Sequence, residues 1–457
     1  MSGVIMSQSR RLKSGDRPYT IISKFPFYYG WIILIVGSLG VIASVPGQTM
    51  GVSVFTDHIM EALGLSRVGI SSAYMIGTLT SSLIIPYAGI LYDRWGARIT
   101  ASIAAFFLSV FLLLLANSPT VSSLITGVLG VGTTAIAFVV VVVGFFGIRF
   151  FGQGILTLVS RGMVARWFGP RRGLVVGIMG LLTSFGFSYA PQPLQSLITH
   201  FGWRGALILL AIILGCIFLP LVILTFRSEP SSCGLEIEQG LSEPKKKRSS
   251  QSQDASVEKN VAEARRDPAY WVILGLLGYW ALYNTAFTFH IVSIYSEVGL
   301  TASEAVKIFL PISVVTVLAR FIGSYVSDRV SIKNIYIAFT IASMVSSASL
   351  MLLHSPIGRS LTIVSYGIST GLFGMLNIVT WPKLYGRKHL GAISGFAMSI
   401  VVAGSAVGPW FFSLAYRFTG SYGSAGFIGF LVASAFLVAT IFIKFKQNTE
   451  PVLNSQT

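Results

Sequence analysis

Runs of apolar residues long enough to cross a bilayer, which takes about 20 helical residues, recur from Tyr28 to Lys446 and are divided by short polar or basic segments. The pattern predicts twelve membrane-spanning helices. The first six cover 28–54, 68–91, 99–117, 138–166, 174–198 and 204–226, and the second six cover 269–295, 303–327, 334–354, 358–382, 391–415 and 422–443. Between the sets lies the one long polar stretch, Arg227 to Asp267, with Lys245, Lys246, Lys247 and Arg248 beside Ser249, Ser250 and Gln251. Such a composition buries too little apolar surface to fold, which predicts a disordered linker. The chain is therefore divided into a cytoplasmic tail (1–27), a six-helix bundle (28–226), a cytoplasmic linker (227–267), a second bundle (268–446) and a cytoplasmic tail (447–457). The expected fold is an all-α membrane protein of two pseudo-symmetric six-helix halves. One interval is oversized: Ile99 to Phe168 holds about 70 residues where two spans and a tight turn need about 50. An extra segment is expected on the outer face around Pro119 to Ala137, as a short hairpin or as extensions of helices 3 and 4.

Composition agrees with that pattern, since 53% hydrophobic residues, 11% charged residues and a mean hydropathy of +0.75 exclude a soluble globular protein. The net charge of +17 would suit nucleic acid, but its distribution argues for lipid. With the N-terminus in the cytoplasm, 26 of the 33 basic residues fall on the inner side, and the outer side keeps Arg67, Arg204, Lys307, Arg359 and Arg417. The positive-inside rule then predicts both termini in the cytoplasm of a plasma or bacterial inner membrane. The Lys245 to Arg248 run reads as a solvated loop near lipid rather than a localisation signal. The first 27 residues are polar, and helix 1 lacks a small-residue cleavage site, so no removed signal peptide is expected. Cys216, in helix 6, and Cys233, in the linker, stand at different depths and are not expected to pair. The sequence holds no Walker loop, Cys/His metal spacing or Gly-x-Ser-x-Gly elbow. It points to a carrier without cofactor or metal rather than an ATP-driven pump or an enzyme.

The two halves share a motif. Helix 2 ends in Gly89, Asp93, Arg94, Gly96 and Arg98, and helix 8 ends in Ser324, Asp328, Arg329, Ser331 and Lys333, at aligned positions. Each stands between the second and third helix of its half, as parallel structural repeats require. A carboxylate at a helix end beside the membrane is placed to meet the positive N-terminus of a neighbouring helix. The expected contacts are Asp93 with the start of helix 11 (Gly391 to Gly395) and Asp328 with the start of helix 5 (Arg172, Gly173), latching the inner face in an outward-facing state. With Arg149, Gly152 and Gly154 in helix 4 and Trp167, Arg171, Arg172 and Gly173 entering helix 5, these residues resemble the major facilitator superfamily along nearly the whole chain. Pro46, Gly47 and Gln48, Phe289 and His290, and the Val317 to Arg320 stretch look most like its monocarboxylate transporter and oxalate:formate antiporter branch. That resemblance implies that Arg320 binds a substrate carboxylate. The chain departs from the branch at Thr316, where an aspartate couples protons, and in helix 11, which lacks a lysine.

Independently of the resemblance, none of the sixteen acidic residues lies deep in a span, whereas Arg149 and Arg320 do. Burying a charge in hydrocarbon costs about 2.5–3.5 kcal/mol on insertion scales. An anionic substrate would neutralise these arginines, and a cationic one would meet two positive charges. Tyr283 and Asn284 near the middle of helix 7, and Gln48 after the helix-loosening Pro46, are candidate cavity-lining contacts. His290 is the candidate for proton coupling, since imidazole titrates near neutral pH when unperturbed. Gly180 with Ser184 and Gly404 with Gly408 are spaced for close helix approach. The expected function is secondary active transport of a small organic anion, a mono- or dicarboxylate, by symport or antiport with protons or a counter-anion. The alternative is an efflux carrier for lipophilic or cationic compounds.

Overall fold

The computed structural model describes residues 28–130, 132–168, 172–233, 235, 259–327, 329–386, 390–443 and 445. Among these, ten helical stretches are long and apolar enough to cross a membrane. Two of the ten, Arg67–Ala116 and Leu174–Thr225, each hold two crossings, because Gly96 (φ 79°, ψ 175°) and Gly202 (φ 69°, ψ 164°) interrupt them. Twelve crossings result.

Helix α1 runs over Gly30–Ala43, breaks at a 3-10 turn at Val45–Gly47 and resumes as Thr49–Ser53. The others are α2 (67–95), α3 (97–116), α4 (Thr133–Trp167), α5 (172–201) and α6 (203–225). The second half has α7 (Pro268–Phe289), α8 (Phe309–Ser327), α9 (Ile332–Ser349), α10 (Pro356–Tyr385), α11 (Leu390–Thr419) and α12 (Gly423–Phe442). The expected extra segment is a short helix, Ser118–Leu129, between α3 and α4, with Leu124, Val128 and Leu129 exposed. The tails 1–27 and 446–457 and most of the linker lie outside the described residues. The linker's ends, by contrast, are folded: a 3-10 turn at Pro230–Cys233 and a helix at Val261–Arg265 closed by a capping box from Asn260 and Glu263. They are anchored to the bundle where Trp167 Nε1 donates to the Arg227 carbonyl (2.8 Å) and Lys259 Nζ meets Asp267 (3.2 Å). No disulfide joins Cys216 and Cys233.

Lipid is as apolar as leucine, so helices in a bilayer associate through close backbone packing rather than the hydrophobic effect. The α7–α11 contact shows this. A Cβ on Gly408 would stand 2.1 Å from the Leu282 carbonyl oxygen, and one on Gly404 2.4 Å from that of Gly278. The expected counterpart in α5 does not form: Gly180 is exposed, and a Cβ there would meet nothing within 4 Å. Gly96 has a different task. Its positive φ lets α2 end and α3 begin within one residue, and the adjoining Ala97 N–H donates to Ser228 Oγ (2.9 Å).

The end of the bundle that carries Asp93, Trp167 and Ser327 is called the basic face, and the opposite end the far face. At the far face the halves are joined. Tyr74 of α2 stacks obliquely on Phe289 of α7 (4.6 Å between centroids), Arg67 lies over the Tyr416 ring of α11 (5.7 Å), and Ser71 Oγ lies 3.5 Å from His290 Nε2. Toward the basic face, Gly89 of α2, Gly177 of α5 and Gly395 of α11 have no neighbour within 4 Å of a would-be Cβ. Among the described residues the side-chain contacts that join the halves gather at the far face, and the molecule is accordingly read as closed there and open at the basic face.

The break in α1 depends on a backbone contact that cannot step aside, since a methyl group at Gly47 would stand 2.1 Å from the Ile148 carbonyl oxygen. Gly47→Ala should therefore lower stability by about 1–3 kcal/mol, the usual cost of overpacking, read from thermal unfolding in detergent. Gly89→Ala, whose methyl meets nothing, is the control. Equal melting of Gly47→Ala and the parent would show that the two backbones part freely.

Candidate functional site

Breaking α1 leaves backbone groups without helical partners in the middle of a membrane protein, and a low-dielectric surrounding makes that costly. Side chains fill the gap. Gln48 is extended (φ −86°, ψ 154°), and its Nε2 donates to Ser44 Oγ (3.0 Å) and to Thr157 Oγ1 of α4 (3.3 Å). Arg149 Nη1 donates to the Gly47 carbonyl (3.2 Å) and Thr49 Oγ1 (3.4 Å), and its guanidinium lies over the Tyr74 ring at 5.1 Å. Arg149 is buried, and it opens a π-helical stretch, Arg149–Leu156, that widens α4 where the α1 break packs. Two of the expected site residues, Gln48 and Arg149, thus meet at one place, and Tyr74 connects that place to the far-face seal.

Tyr283 and Asn284 face other helices of their own half. Tyr283 is buried and donates to the Ser346 carbonyl of α9 (2.7 Å), and Asn284 Oδ1 accepts from the Tyr366 hydroxyl of α10. His290 is buried rather than set at the rim. Its Nε2 donates to the Pro409 carbonyl (2.8 Å), and its Nδ1 lies 3.3 Å from the Tyr422 hydroxyl. It binds α7 to α11 and α12 directly beneath the closed far face.

Arg320 stands apart from these, toward the basic face, seven residues before the end of α8 at Ser327. Its guanidinium lies flat on α10: a Cβ on Gly374 would be 2.5 Å from Nη2 and 2.9 Å from Cζ. Among the described residues it has no hydrogen bond or ion pair, and it is exposed, as a charge facing an aqueous cavity must be. Sequence reasoning missed a second arginine of this kind. Arg161, which the charge count placed at the inner end of helix 4, stands within the span, six residues before Trp167. It is likewise exposed and without a hydrogen bond or ion pair among the described residues, and the charge of Arg320, in the opposite half, acts on it. The missed signal was spacing: Gln153, Thr157 and Arg161 recur every four residues and form a polar strip on one face of α4.

The motif residues of the first half cluster at the basic face. Asp93 pairs with Arg166 of α4 in its own half (2.6 Å), Arg166 also lies over the Tyr92 ring, and Arg94 is exposed. The expected partner of Asp93 in α11 belongs to a state closed at this face, whereas the present state is open there. In the second half Asp328 lies outside the described residues, and Arg329 covers the Tyr325 ring at 3.8 Å.

Two six-helix halves, joined at one end and carrying Arg161 and Arg320 exposed within spans toward the other, form the frame of a carrier that binds its cargo between the halves. The chain belongs to the Major Facilitator Superfamily, whose family model matches residues 37–409. It is a secondary transporter. It is 23% identical over 481 residues to monocarboxylate transporter 14 of Mus musculus, covering 90% of each chain. Its fold is similar to a bacterial homolog of the human lysosomal transporter Spinster in an inward-facing and occupied conformation (TM-score 0.67, 14% identity, 93% of this chain and 100% of that one). It is also similar to the nucleoside transporter NupG (TM-score 0.65, 15% identity, 90% and 100%).

The far-face seal can be probed directly. Ser71 has no exposed surface behind the Tyr74–Phe289 contact. In a background with Cys216 and Cys233 replaced by serine, Ser71→Cys should resist a membrane-impermeant thiol reagent. Adding Phe289→Ala should speed its labelling about tenfold, the effect of a gap costing about 1.4 kcal/mol less to open. Equal labelling with and without Phe289 would remove that ring from the seal.

Proposed function

We propose that this secondary transporter carries a small organic anion, a mono- or dicarboxylate, by rocker-switch alternating access. The observation that carries the reading is Arg320: a guanidinium inside a span, open to the cavity, with no carboxylate to balance it among the described residues. An arginine at this depth costs free energy that an anion offsets. Its planar fork grips a carboxylate through two parallel hydrogen bonds, and Gly374 lets it lie flat in one orientation. The monocarboxylate transporter relative supports the same substrate class.

On this reading the basic face is cytoplasmic, both termini lie there in a plasma or bacterial inner membrane, and the present state is open inward. Asp93 then changes partners in the cycle, from Arg166 within its own half to the start of α11 when the inner face closes, with Gly89, Gly96 and Arg98 shaping the turn. In the second half, Asp328, beside Arg329, meets the start of α5 near Arg172 and Gly173 when the inner face closes. Gln48, Arg149, Tyr283 and Asn284 belong to the shell that holds the site in shape, and a proton or counter-anion supplies the driving gradient, with His290 the residue for proton coupling. A second reading, export of lipophilic compounds, draws support from an apolar cavity of about 560 Å³ between α7, α11 and α12, lined by Leu282, Ile400, Val407, Phe411 and Ile428.

Uptake of labelled mono- and dicarboxylates into proteoliposomes, under pH and anion gradients in turn, separates the two. A charge-assisted hydrogen bond contributes roughly 1.5–3 kcal/mol, so Arg320→Lys, which keeps the charge but loses one parallel bond, should raise the apparent Kd about tenfold to a hundredfold. Gly374→Ala should fold, because only the far end of Arg320 must shift, and should weaken the same anion. If Arg320→Lys and Arg320→Gln both bind and carry a carboxylate as the parent does, Arg320 is structural and the anion reading is wrong.

A further inference from the structure

We propose that Arg161 is a second anion-binding residue, supplied by the N-terminal half, and that the Arg161–Arg320 pair allows the inner face to close only around a bound anion. This rests on the anion reading above and adds to it the second contact and the coupling between flux directions.

Three observations converge. Arg161 stands six residues from the basic end of α4 and Arg320 seven from that of α8, so both lie roughly 9–10 Å inside the helix ends at 1.5 Å per residue. They belong to opposite halves. Each is exposed inside a span, Arg161 at the end of the Gln153, Thr157, Arg161 strip, which fits a water-filled cavity and not lipid. Among the described residues neither forms an ion pair with a carboxylate, and the charge that acts on Arg161 is that of Arg320 in the opposite half.

Closing the inner face moves the basic ends of the halves together and removes water from between them. Two like charges at one depth then approach in a medium that screens them less, and their repulsion grows. An empty carrier is thereby held open. A carboxylate between the guanidinium groups reverses the sign: it is attracted to both, each bond is charge-assisted, and closure strengthens them. An anion with two carboxylates, one for each half, fits this arrangement best. Because the empty form does not close, the carrier returns only when loaded, and transport is an obligatory exchange of anions rather than net flux.

The test has a readout that needs no substrate. Spin labels on cysteines at Leu174 of α5 and Ile322 of α8, both exposed, in a Cys216→Ser, Cys233→Ser background, report the spacing of the basic ends. In anion-free buffer the parent should show the long, open distance, Arg161→Gln should add a populated short distance, and Arg161→Lys should resemble the parent. In proteoliposomes loaded with labelled oxalate or lactate, efflux from the parent into anion-free buffer should be at least about tenfold slower than into buffer holding the same unlabelled anion. Arg161→Gln should bring the two rates within about twofold. If Arg161→Gln matches the parent in both label distance and rate ratio while Arg320 variants lose transport, the anion reading stands and this inference falls. If the parent carries neither anion, the anion reading falls for these probes. The label distances then still decide, since unchanged populations in Arg161→Gln remove Arg161 from the gate.

Discussion

A bilayer offers no water to a stray backbone carbonyl or a charged side chain, so each such group must find its partner inside the protein or face a cavity that admits water. This constraint organises the molecule. Where α1 breaks at Val45–Gly47, the freed backbone is met by Arg149, while Gln48 ties the break to Ser44 and Thr157 of α4. The π-helical turn of α4 makes room for that arrangement. Arg149 can be deep because carbonyl, hydroxyl and aromatic face surround it, whereas Arg161 and Arg320 lack such neighbours and stand where solvent reaches them.

Within each half the packing is close and permits little sliding. In α11, Gly404 and Gly408 bring the backbone against Gly278 and Leu282 of α7, so these helices move together. Among the described residues the side-chain contacts between the halves are of another kind: an aromatic pair, a cation over a ring and a long hydroxyl–imidazole approach at the far face. Such contacts can be exchanged at small cost compared with prising glycine-packed helices apart. Motion of one rigid half against the other, with the seal transferred from one face to the opposite one, is the change of shape that this difference in packing favours.

On the proposed reading, binding and gating share the same chemistry. An arginine without a carboxylate is a liability to a closed protein and an asset to a protein whose cargo is an anion, because the cargo completes the electrostatics only while it is present. The exposed ion pair between Asp93 and Arg166 contributes little to stability, which suits a group that exchanges partners.

The apolar runs alone determined the all-helical, multi-pass fold and the number of crossings, because bilayer thickness imposes a length that local composition reveals. The repeated Asp-Arg motif and the placement of basic residues were legible for a similar reason: they are local signals read against a fixed slab. The surplus between Ile99 and Phe168 was countable too, and it became the Ser118–Leu129 helix. Tertiary structure decided what the polar residues inside the spans touch. Tyr283 and Asn284, central in α7 by count, turn into their own half, and His290, at the end of that helix by count, is buried under the seal. Gly180, at a suitable spacing, packs against nothing, and Arg161, which reads as one more inner-face cation, stands exposed within the span where the charge of Arg320 reaches it. Spacing along one helix says which residues share a face. Which neighbour that face meets depends on how each helix is rotated and how the halves are tilted, and both are set by contacts between residues far apart in the chain.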